Sequence, residues 1–326
     1  MFRSDRRDFI KRMSSLAAGT AMFPLAIESC GQVSIPRRVL GRTGEQVSLL
    51  GMGGFHVGDP SVPDEVAIQV IRTSIDRGVN FMDNAWSYKE GRAETIMGRA
   101  LKDGYREKVF LMTKLTATSV EEAKAQMEES LRRFDLDRID LMQFHAIGRR
   151  DGIVDEIYRN GLIEWAEEQR RQGVFRYIGF TGHCDPKAHM DMIKRGYPWD
   201  TVQMPLNPGD YHRNISFQKH VLPLALENKI GVIGMKSNGM GNLGNSGIAA
   251  PPEGLRYAMS LPVSTVVSGM DSLEILEENL EVFHNFTPMT VQEQEELLKR
   301  SEGKSDSIEH YRRKVYDPDG NEIPGQ

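Results

Sequence analysis

Four side chains could together move a proton: Asp83, Tyr88, Lys114 and His145. Asp83 ends the apolar run VNFMD, and Tyr88 follows five residues later in a stretch without helical apolar spacing. A carboxylate beside a lysine keeps the ammonium charged, and a charged lysine near a phenol lowers the pKa of that tyrosine. An imidazole at the same space can donate or accept a hydrogen bond. We therefore predict a supported general acid, in which Asp83 holds Lys114, Lys114 tunes Tyr88, and His145 completes the site.

Each of these residues alone also has an ordinary structural explanation. Asp83 could cap a helix, Lys114 could be an exposed charge, and His145 could be a core histidine with satisfied hydrogen bonds. Their shared position favours chemistry, since Asp83, Lys114, His145, Thr181 and Gln203 each stand at the end of an apolar run.

Eight such runs alternate with longer amphipathic segments from about Val39 onward, and no Pro/Ser-rich linker interrupts them. The runs are VSLLGMG (47–53), VNFMD (79–83), VFLMTK (109–114), IDLMQFH (139–145), FRYIGFTG (175–182), TVQMP (201–205), KIGVIGMK (229–236) and VSTVVSG (263–269). Helices are predicted at Asp64–Arg77, Val120–Phe134, Glu156–Arg171, Asn214–Asn228 and Ser272–Phe283. Continuous apolar strands that alternate with helices indicate a parallel sheet. Eight repeats predict an α/β fold, a single-domain (β/α)8 TIM barrel over residues 31–326, with its active site at the carboxyl ends of the strands.

A doubly wound open sheet is the main rival fold, and it requires a glycine fingerprint in its first strand–helix turn. A literal G-x-G-x-x-G occurs at 239–244, but three residues separate it from the preceding strand and NSGIAAPPEG follows in place of a helix start. No acidic residue stands about 20 residues further on, where the fingerprint requires one. We interpret the segment 238–247 as a flexible loop that could close over a ligand on the functional face.

Composition limits the classes of partner. The 326 residues include 41 Lys and Arg against 46 Asp and Glu, without a basic stripe, so nucleic acid is not expected. The two cysteines, Cys30 and Cys184, are too few for a disulfide framework or a Cys-rich metal site. A small molecule is the expected partner.

The first 30 residues differ in kind from the rest. Arg6-Arg7, then Phe9-Ile10-Lys11 and an Ala-rich stretch from Met13 to Ile27 resemble a twin-arginine export signal. The stretch is short for a membrane span, which needs about 20 apolar residues, so a signal at 1–30 is favoured over a spanning helix or a cytoplasmic leader. We expect the export machinery to deliver the protein to the periplasm. IESC at 27–30 loosely resembles a lipobox, which leaves open a lipid anchor at Cys30 on the outer face of a membrane.

The chain resembles an aldo-keto reductase across essentially its whole exported part. The motifs that carry the resemblance are DNAWSYKEGRAETIMGRAL (83–101), TK (113–114), LMQFH (141–145), GFTGH (179–183), VQMPLN (202–207) and VVSGMDSLEILEEN (266–279). The resemblance implies hydride transfer between a nicotinamide and a carbonyl carbon. Tyr88 then gives the proton to the carbonyl oxygen, and His145 orients and polarises that oxygen.

The resemblance also implies a nucleotide across the strand ends. Its contacts are expected from Gly54, Phe55, Asp83, Thr181, Gly182, Gln203, Met235, Lys236, Ser237, Ser268, Gly269, Met270, Glu278 and Asn279. Phe55, Trp86 and His145 are expected to line the substrate pocket. Two positions depart from the family pattern: Met235 stands where many members have an aromatic residue, and Thr181-Gly182, followed by His183, replaces Ser-Asn.

The cofactor is expected to be NAD(H) or NADP(H), with NAD(H) favoured. A 2′-phosphate requires Arg or Lys, yet no Lys or Arg occurs from Tyr257 through Leu298, and Ile275 stands where many members place an arginine. Asp271 would repel the phosphate, unless it only caps the last helix while Lys236 reaches in from another loop.

Three functions remain open at this stage. The sequence favours a nicotinamide-dependent enzyme that reduces aldehydes, ketones or sugar carbonyls, or oxidises the alcohols. The alternative is a non-catalytic or redox-sensing module that keeps the barrel and the nucleotide. A barrel hydrolase lacks its expected facing carboxylates. No metal is expected, because the spacing of His183, Cys184 and His189 matches no common zinc pattern.

Overall fold

The computed structural model describes residues 36–312 and two short strands at 315–316 and 322–323. The leader predicted at 1–30, with Cys30, lies outside the described residues. The chain begins with an antiparallel hairpin, β1 (Arg37–Val39) and β2 (Gln46–Ser48). The hairpin packs against the starts of two barrel strands, where Ser264 donates to the Val39 carbonyl and the Arg42 amide donates to the Lys229 carbonyl. It therefore covers the amino end of the barrel.

Eight parallel strands close into a barrel, which confirms the predicted fold. They are β3 (Leu50–Gly53), β4 (Phe81–Asp83), β5 (Phe110–Leu115), β6 (Leu141–Phe144), β7 (Tyr177–Thr181), β8 (Thr201–Pro205), β9 (Gly231–Met235) and β10 (Thr265–Gly269). β10 pairs with both β9 and β3, so the sheet has no free edge. A further antiparallel pair, β11 (Val315–Tyr316) and β12 (Glu322–Ile323), follows the barrel.

Helices surround the barrel and connect its strands. They are α1 (Gly54–Val57), α2 (Asp64–Asp76), α3 (Arg92–Ala100), α4 (Val120–Phe134), α5 (Ile153–Arg159), α6 (Leu162–Gln172), α7 (Pro186–Lys194), α8 (Pro208–Tyr211), α9 (Leu222–Glu227), α10 (Asn242–Asn245), α11 (Pro251–Ser260), α12 (Leu273–His284), α13 (Val291–Arg300) and α14 (Ser305–Ile308). Shorter helical turns occur at Gly41–Thr43, Tyr88–Gly91, Arg106–Lys108, Phe217–Val221 and His310–Arg312. In this part of the chain no helix is long and apolar enough to cross a membrane.

Three predicted elements differ from the structure. The run 47–53 divides at Leu49 into a hairpin strand and a barrel strand, and the predicted helix 156–171 is two helices interrupted at Asn160-Gly161. Gly161 has φ 76°, a left-handed conformation that a continuous helix cannot contain. The predicted helix 214–228 is a π turn followed by α9, with a proline in the first turn of α9.

The glycine-rich segment 238–247 also has more regular structure than predicted. It contains α10, and Gly239 and Gly241 have φ 56° and 87°. A Cβ at Gly239 would lie 2.7 Å from the Ile308 carbonyl oxygen, so this segment packs closely on the C-terminal residues.

The apolar core has two parts. A large cluster lies mainly between the barrel and its helices, while a smaller one, which includes Leu40, Phe81 and Ile233, fills the amino end beneath the hairpin. Close packing of such side chains contributes roughly 25 cal/mol per Å² of apolar surface removed from water. Because apolar residues fill the amino end, the buried polar side chains at the carboxyl ends of the strands stand out as the site.

Candidate active site

Three strand ends carry the first predicted site residues to one place. Asp83 is the last residue of β4, Lys114 lies near the end of the neighbouring β5, and His145 follows β6 directly. The strand register relates these positions, because Met82 on β4 pairs with Leu111 on β5, and Lys114 on β5 pairs with Gln143 on β6. Only 1% of Lys114 and 2% of Asp83 is exposed, so a buried charge pair stands at the barrel mouth.

Lys114 is the centre of the polar contacts. Its Nζ lies 2.6 Å from Asp83 Oδ1, 2.7 Å from the Asn84 carbonyl oxygen and 3.1 Å from the Tyr88 hydroxyl. The second Asp83 oxygen accepts a hydrogen bond from Gln203 Nε2 at 2.5 Å. An ammonium has three donors, and these three acceptors use them all. The structure therefore brings Asp83, Lys114 and Tyr88 together in the arrangement that the sequence predicts.

A strained loop presents Tyr88 to Lys114. Lys89 and Glu90 have φ 52° and 55°, in the left-handed region that side chains rarely adopt. Lys89 ties this loop to the first barrel loop, because its Nζ lies 2.6 Å from Asp59 and 4.0 Å from the centre of the Phe55 ring. The Phe55 and Tyr88 rings meet edge to face at 5.2 Å. Phe55 thus lies beside the Tyr88 phenol.

The acidity of Tyr88 differs from the prediction. Burial raises the pKa of the Tyr88 phenol above its usual value, and the charge of Lys114 opposes that rise without cancelling it. The predicted lowered pKa is therefore wrong in its net direction, although the effect of Lys114 has the predicted sign. Burial also lowers the pKa of Lys114, but Asp83 and Tyr88 outweigh it and leave that pKa raised. At neutral pH the site holds a protonated phenol beside a charged ammonium.

His145 is a neutral imidazole in this site. Burial, followed by the positive charges of Lys114, Arg149 and Lys236, holds the pKa of His145 well below its usual value. Its ring centre lies 6.0 Å from that of Tyr88. The buried Nδ1 of His145 finds no hydrogen-bond partner among the residues described. A neutral imidazole can still donate one hydrogen bond to an oxygen held beside the phenol.

Two buried polar atoms test whether a nicotinamide fits. Thr181 on β7 pairs in register with Gln203 on β8, and Thr181 Oγ1 and Gln203 Oε1 are both buried without a partner in the described ranges. A hydroxyl that can donate and an amide oxygen that accepts are the complement of a carboxamide. The Gln203 amide is oriented so that Oε1 can accept this hydrogen bond, because its NH2 group donates to Asp83. The residues present therefore fit the nicotinamide carboxamide.

At two glycines near the first strand–helix turn, neighbouring residues pack so closely that no side chain would fit. A Cβ at Gly54 would lie 2.8 Å from Asn84 Nδ2, and a Cβ at Gly269 would lie 2.1 Å from His56 Nδ1. His56 is a site neighbour that the sequence did not single out, because only the fold places it against β10.

The other predicted nucleotide contacts divide into buried and exposed groups. Met235 and Ser237 are 7% and 5% exposed, and Lys236 between them has φ 53°. Ser268 Oγ donates to Asn279 Oδ1 at 3.2 Å, which links the end of β10 to α12. Met270 is fully buried and Glu278 is exposed. Glu278 is therefore open to a ligand, whereas Met270 is covered by the rest of the protein.

Trp86, which is predicted to line the substrate pocket, is anchored by side chains of α4. Its indole N–H donates to Glu129 at 2.8 Å, and its ring lies 5.7 Å from the Arg133 guanidinium. Both partners belong to α4 on the outside of the barrel. Trp86 thus anchors the loop that carries Tyr88.

No group of three or more His, Cys, Asp or Glu side chains could hold a metal ion in the chain as described. Cys184 has intermediate exposure, and its Sγ lies 3.8 Å from the Tyr311 carbonyl oxygen.

A profile described as the Aldo/keto reductase family matches residues 49–254. The chain belongs to this family. It is 27% identical to L-galactose dehydrogenase of Arabidopsis thaliana, over 76% of this chain and 87% of that protein. It is 30% identical to aldo-keto reductase YhdN of Bacillus subtilis, over 58% of this chain and 57% of that protein. The holo form of aldo-keto reductase AKR11C1 from Bacillus halodurans has the same fold, with a TM-score of 0.69 and 23% identity over 82% of this chain and 96% of that one.

Membership confirms the predicted family and class of activity. This aldo/keto reductase is an NAD(P)-dependent oxidoreductase that acts on carbonyl compounds or the corresponding alcohols. A small-molecule carbonyl substrate, which the resemblance implies, is consistent with that activity.

Proposed function

We propose that Tyr88 is the general acid in carbonyl reduction and the general base in alcohol oxidation. The observation that carries this proposal is the 3.1 Å contact between the Tyr88 hydroxyl and Lys114, whose charge is in turn held by Asp83 at 2.6 Å. The bound nicotinamide supplies or accepts the hydride. Tyr88 gives its proton to the carbonyl oxygen, while the charge of Lys114 stabilises the phenolate that remains.

His145 has a different role in the proposal. As a neutral imidazole beside Tyr88, it donates a hydrogen bond to the carbonyl oxygen and orients it toward the phenol. Negative charge develops on that oxygen during reduction, so a donor held in a buried site stabilises the transition state. Phe55 excludes water from the side of the phenol that it covers. A non-catalytic nucleotide-binding module would have no need for this buried charge pair under a tyrosine.

Replacement of Tyr88 by Phe tests the assignment. The change removes the hydroxyl and leaves the carboxamide contacts of Thr181 and Gln203 in place. We expect kcat for reduction of a generic aromatic aldehyde to fall about 10²–10⁴-fold, with nucleotide affinity nearly unchanged. Fluorescence titration with reduced nucleotide and steady-state kinetics measure the two quantities. Parental activity in the Phe variant would refute the role of Tyr88, and an inactive parent that binds nucleotide would favour the non-catalytic module.

The nucleotide is proposed to be NAD(H) in preference to NADP(H). The start of α12, where a 2′-phosphate would be recognised, presents an exposed Ile275 rather than a cation. Arg77 is a cation beside this helix, and Glu277 binds it at 2.6 Å. Because Glu274 and Glu278 are also exposed on α12, added phosphate charge would be repelled there.

We also propose that residues 1–30 are a twin-arginine signal and that the protein works outside the cytoplasm with its nucleotide retained. The arginine pair and the mildly apolar stretch after it support the signal. Free nucleotide is expected to be scarce in that compartment, so one retained nucleotide would be reduced by one metabolite and oxidised by another in turn. Cell fractionation combined with nucleotide analysis tests the proposal.

A further inference from the structure

A second imidazole, unused in the proposed mechanism, stands beside His145. The His183 ring follows β7, and its centre lies 6.3 Å from that of His145, with the planes at 66°. His183 Nδ1 is buried and, like His145 Nδ1, has no hydrogen-bond partner in the described part of the chain. Buried polar atoms are rarely left unpaired in folded proteins. Two such atoms on adjacent rings at the barrel mouth indicate a ligand with more than one polar group.

Close packing of two loops fixes the position of His183. The Ile147 amide donates to the Thr181 carbonyl at 2.9 Å. A Cβ at Gly182 would lie 2.1 Å from the Ile147 carbonyl oxygen and 2.8 Å from His189 Cε1, so only glycine fits between the loops. One loop carries His145 and the other carries His183. Their separation is therefore set by backbone contacts rather than by chance side-chain orientation.

Both rings are suited to bind uncharged oxygens. Burial, followed by the charges of Lys236 and Lys114, holds the pKa of His183 well below its usual value, so His183 is neutral like His145. A neutral imidazole has one donor and one acceptor nitrogen. A hydroxyl group both donates and accepts, and it can therefore pair with either tautomer of His183.

We propose that His183 determines specificity by binding a hydroxyl group on the carbon next to the reacting carbonyl. The preferred substrates are then α-hydroxy aldehydes and α-hydroxy ketones, the arrangement found in open-chain sugars. This inference rests on the proposed function, in which Tyr88 and His145 hold the carbonyl oxygen. A simple aldehyde satisfies those two residues and leaves His183 unpaired, whereas an α-hydroxy carbonyl satisfies all three. The proton and hydride move as in the proposed function.

Three aldehydes of equal chain length test the inference: propanal, 2-hydroxypropanal and 3-hydroxypropanal. We expect kcat/KM to be about tenfold or more higher for 2-hydroxypropanal than for propanal, since one neutral hydrogen bond in a desolvated site is worth about this factor. The 3-hydroxy isomer should gain much less. In His183→Leu the preference for 2-hydroxypropanal should fall by about tenfold while propanal is little affected, and in His183→Asn part of the preference should return.

A matched control is His284→Leu. His284 Nε2 is also buried without a partner in the described residues, but it lies at the far end of α12. This control should keep the parental preference. Binding of reduced nucleotide, measured for every variant, establishes that the site is folded. If His183→Leu does not bind the nucleotide, the role of His183 is tested with His183→Asn and His183→Gln, by the ratio of kcat/KM for 2-hydroxypropanal to that for propanal.

The outcomes separate the two proposals. A parent that reduces none of the three aldehydes with either nucleotide refutes the proposed function and this inference with it. A parent that reduces them equally well, or a His183→Leu variant with an unchanged preference, refutes only the role of His183. A strong preference for pyruvate over 2-hydroxypropanal also overturns it, because the charged Lys236 would then be the group that recognises the substrate.

Discussion

Lys114 decides how the proton of Tyr88 behaves, because it is the cation in direct contact with the phenol. Burial alone would make the phenol a very weak acid, and the phenolate left after reduction would be unstable. Lys114 offsets part of that penalty, and Asp83 keeps Lys114 charged in a place where an isolated ammonium would lose its proton. The raised net pKa of Tyr88 means that the free enzyme holds the proton required for reduction throughout the neutral range.

A pH dependence follows from the raised pKa. We expect kcat for carbonyl reduction to stay level from pH 6 to 9, since Tyr88 remains protonated, and kcat for alcohol oxidation to rise with pH because it requires the phenolate. In Lys114→Met the pKa of Tyr88 should rise further. Each pKa unit of that rise should lower kcat for alcohol oxidation at pH 8 by about tenfold. Profiles at saturating nucleotide measure both directions, with Lys114→Arg as the control that keeps the charge. Reduction that declines above pH 7 in the parent would show a lowered pKa instead.

Nucleotide preference also belongs to single residues. Replacement of the exposed Ile275 by Arg should improve NADPH affinity by about tenfold, because a charge-assisted hydrogen bond to a phosphate contributes about 1.5–3 kcal/mol. NADH affinity should change little. The control is Val39→Arg, which adds the same charge on the exposed amino-terminal hairpin. Dissociation constants of the parent and both variants for NADH and NADPH test this prediction. A parent that binds NADPH clearly more tightly than NADH would contradict the preference for NAD(H).

At the scale of elements, apolar periodicity predicted the strands and helices whose positions depend on the burial of apolar side chains. Eight buried runs became eight barrel strands, and apolar spacing predicted the helix Val120–Phe134 to the residue; in the structure Ser119 caps its start. Periodicity did not locate the break at Gly161, since the apolar spacing continues across it and only the left-handed backbone divides the helix. It also could not place His183 beside His145, because that contact depends on the approach of two loops at Gly182.

The C-terminal segment 305–312 is a further element that the sequence did not reveal. Its Arg312 binds Asp210 at 2.9 Å and Glu309 at 3.3 Å, and both carboxylates are fully buried. Tyr311 lies beneath Lys236, whose Nζ is 4.8 Å from the ring centre. This segment therefore fastens α8 to the loop after β9, at the carboxyl end of the barrel.

The stability of this fastening should depend on pH. Burial and the Glu309 carboxylate raise the pKa of Asp210 to about 7. A carboxyl with a raised folded-state pKa stabilises the protein most below its unfolded pKa, and that contribution is lost as pH rises to about 7. Asp210→Asn stays neutral at every pH. Its free energy of unfolding should therefore rise relative to that of the parent by at most about 1.4 kcal/mol per pH unit between pH 4 and 7. Thermal unfolding of both proteins across this range measures the difference, and a difference that stays constant with pH would contradict the raised pKa.

At the scale of the whole molecule, the two ends of the barrel serve separate purposes. The described chain starts at the hairpin that covers the amino end, whereas the polar site lies at the carboxyl ends of the strands. The glycine-rich segment and residues 305–312 meet on the opposite side, where Asn242 Nδ2 donates to the Ile308 carbonyl at 3.3 Å. They lie at the end of the barrel where we propose that the nucleotide binds.

Retention of nucleotide through export is the prediction that depends on the whole chain. The twin-arginine route is expected to carry folded proteins, and bound nucleotide stabilises the folded state by mass action, so slow release would keep it in place. We expect the exported form, purified without added nucleotide, to contain close to one nucleotide per chain, and Arg6→Lys/Arg7→Lys to retain the protein in the cytoplasm with its leader uncleaved. Fractionation, intact mass and nucleotide content per chain measure the three expectations.

Asn242→Ala, which removes the contact with Ile308, should release nucleotide faster, while Val39→Arg at the other end of the barrel should not. An empty exported protein would refute retention, and parental protein found only in the cytoplasm with residues 1–30 intact would refute export.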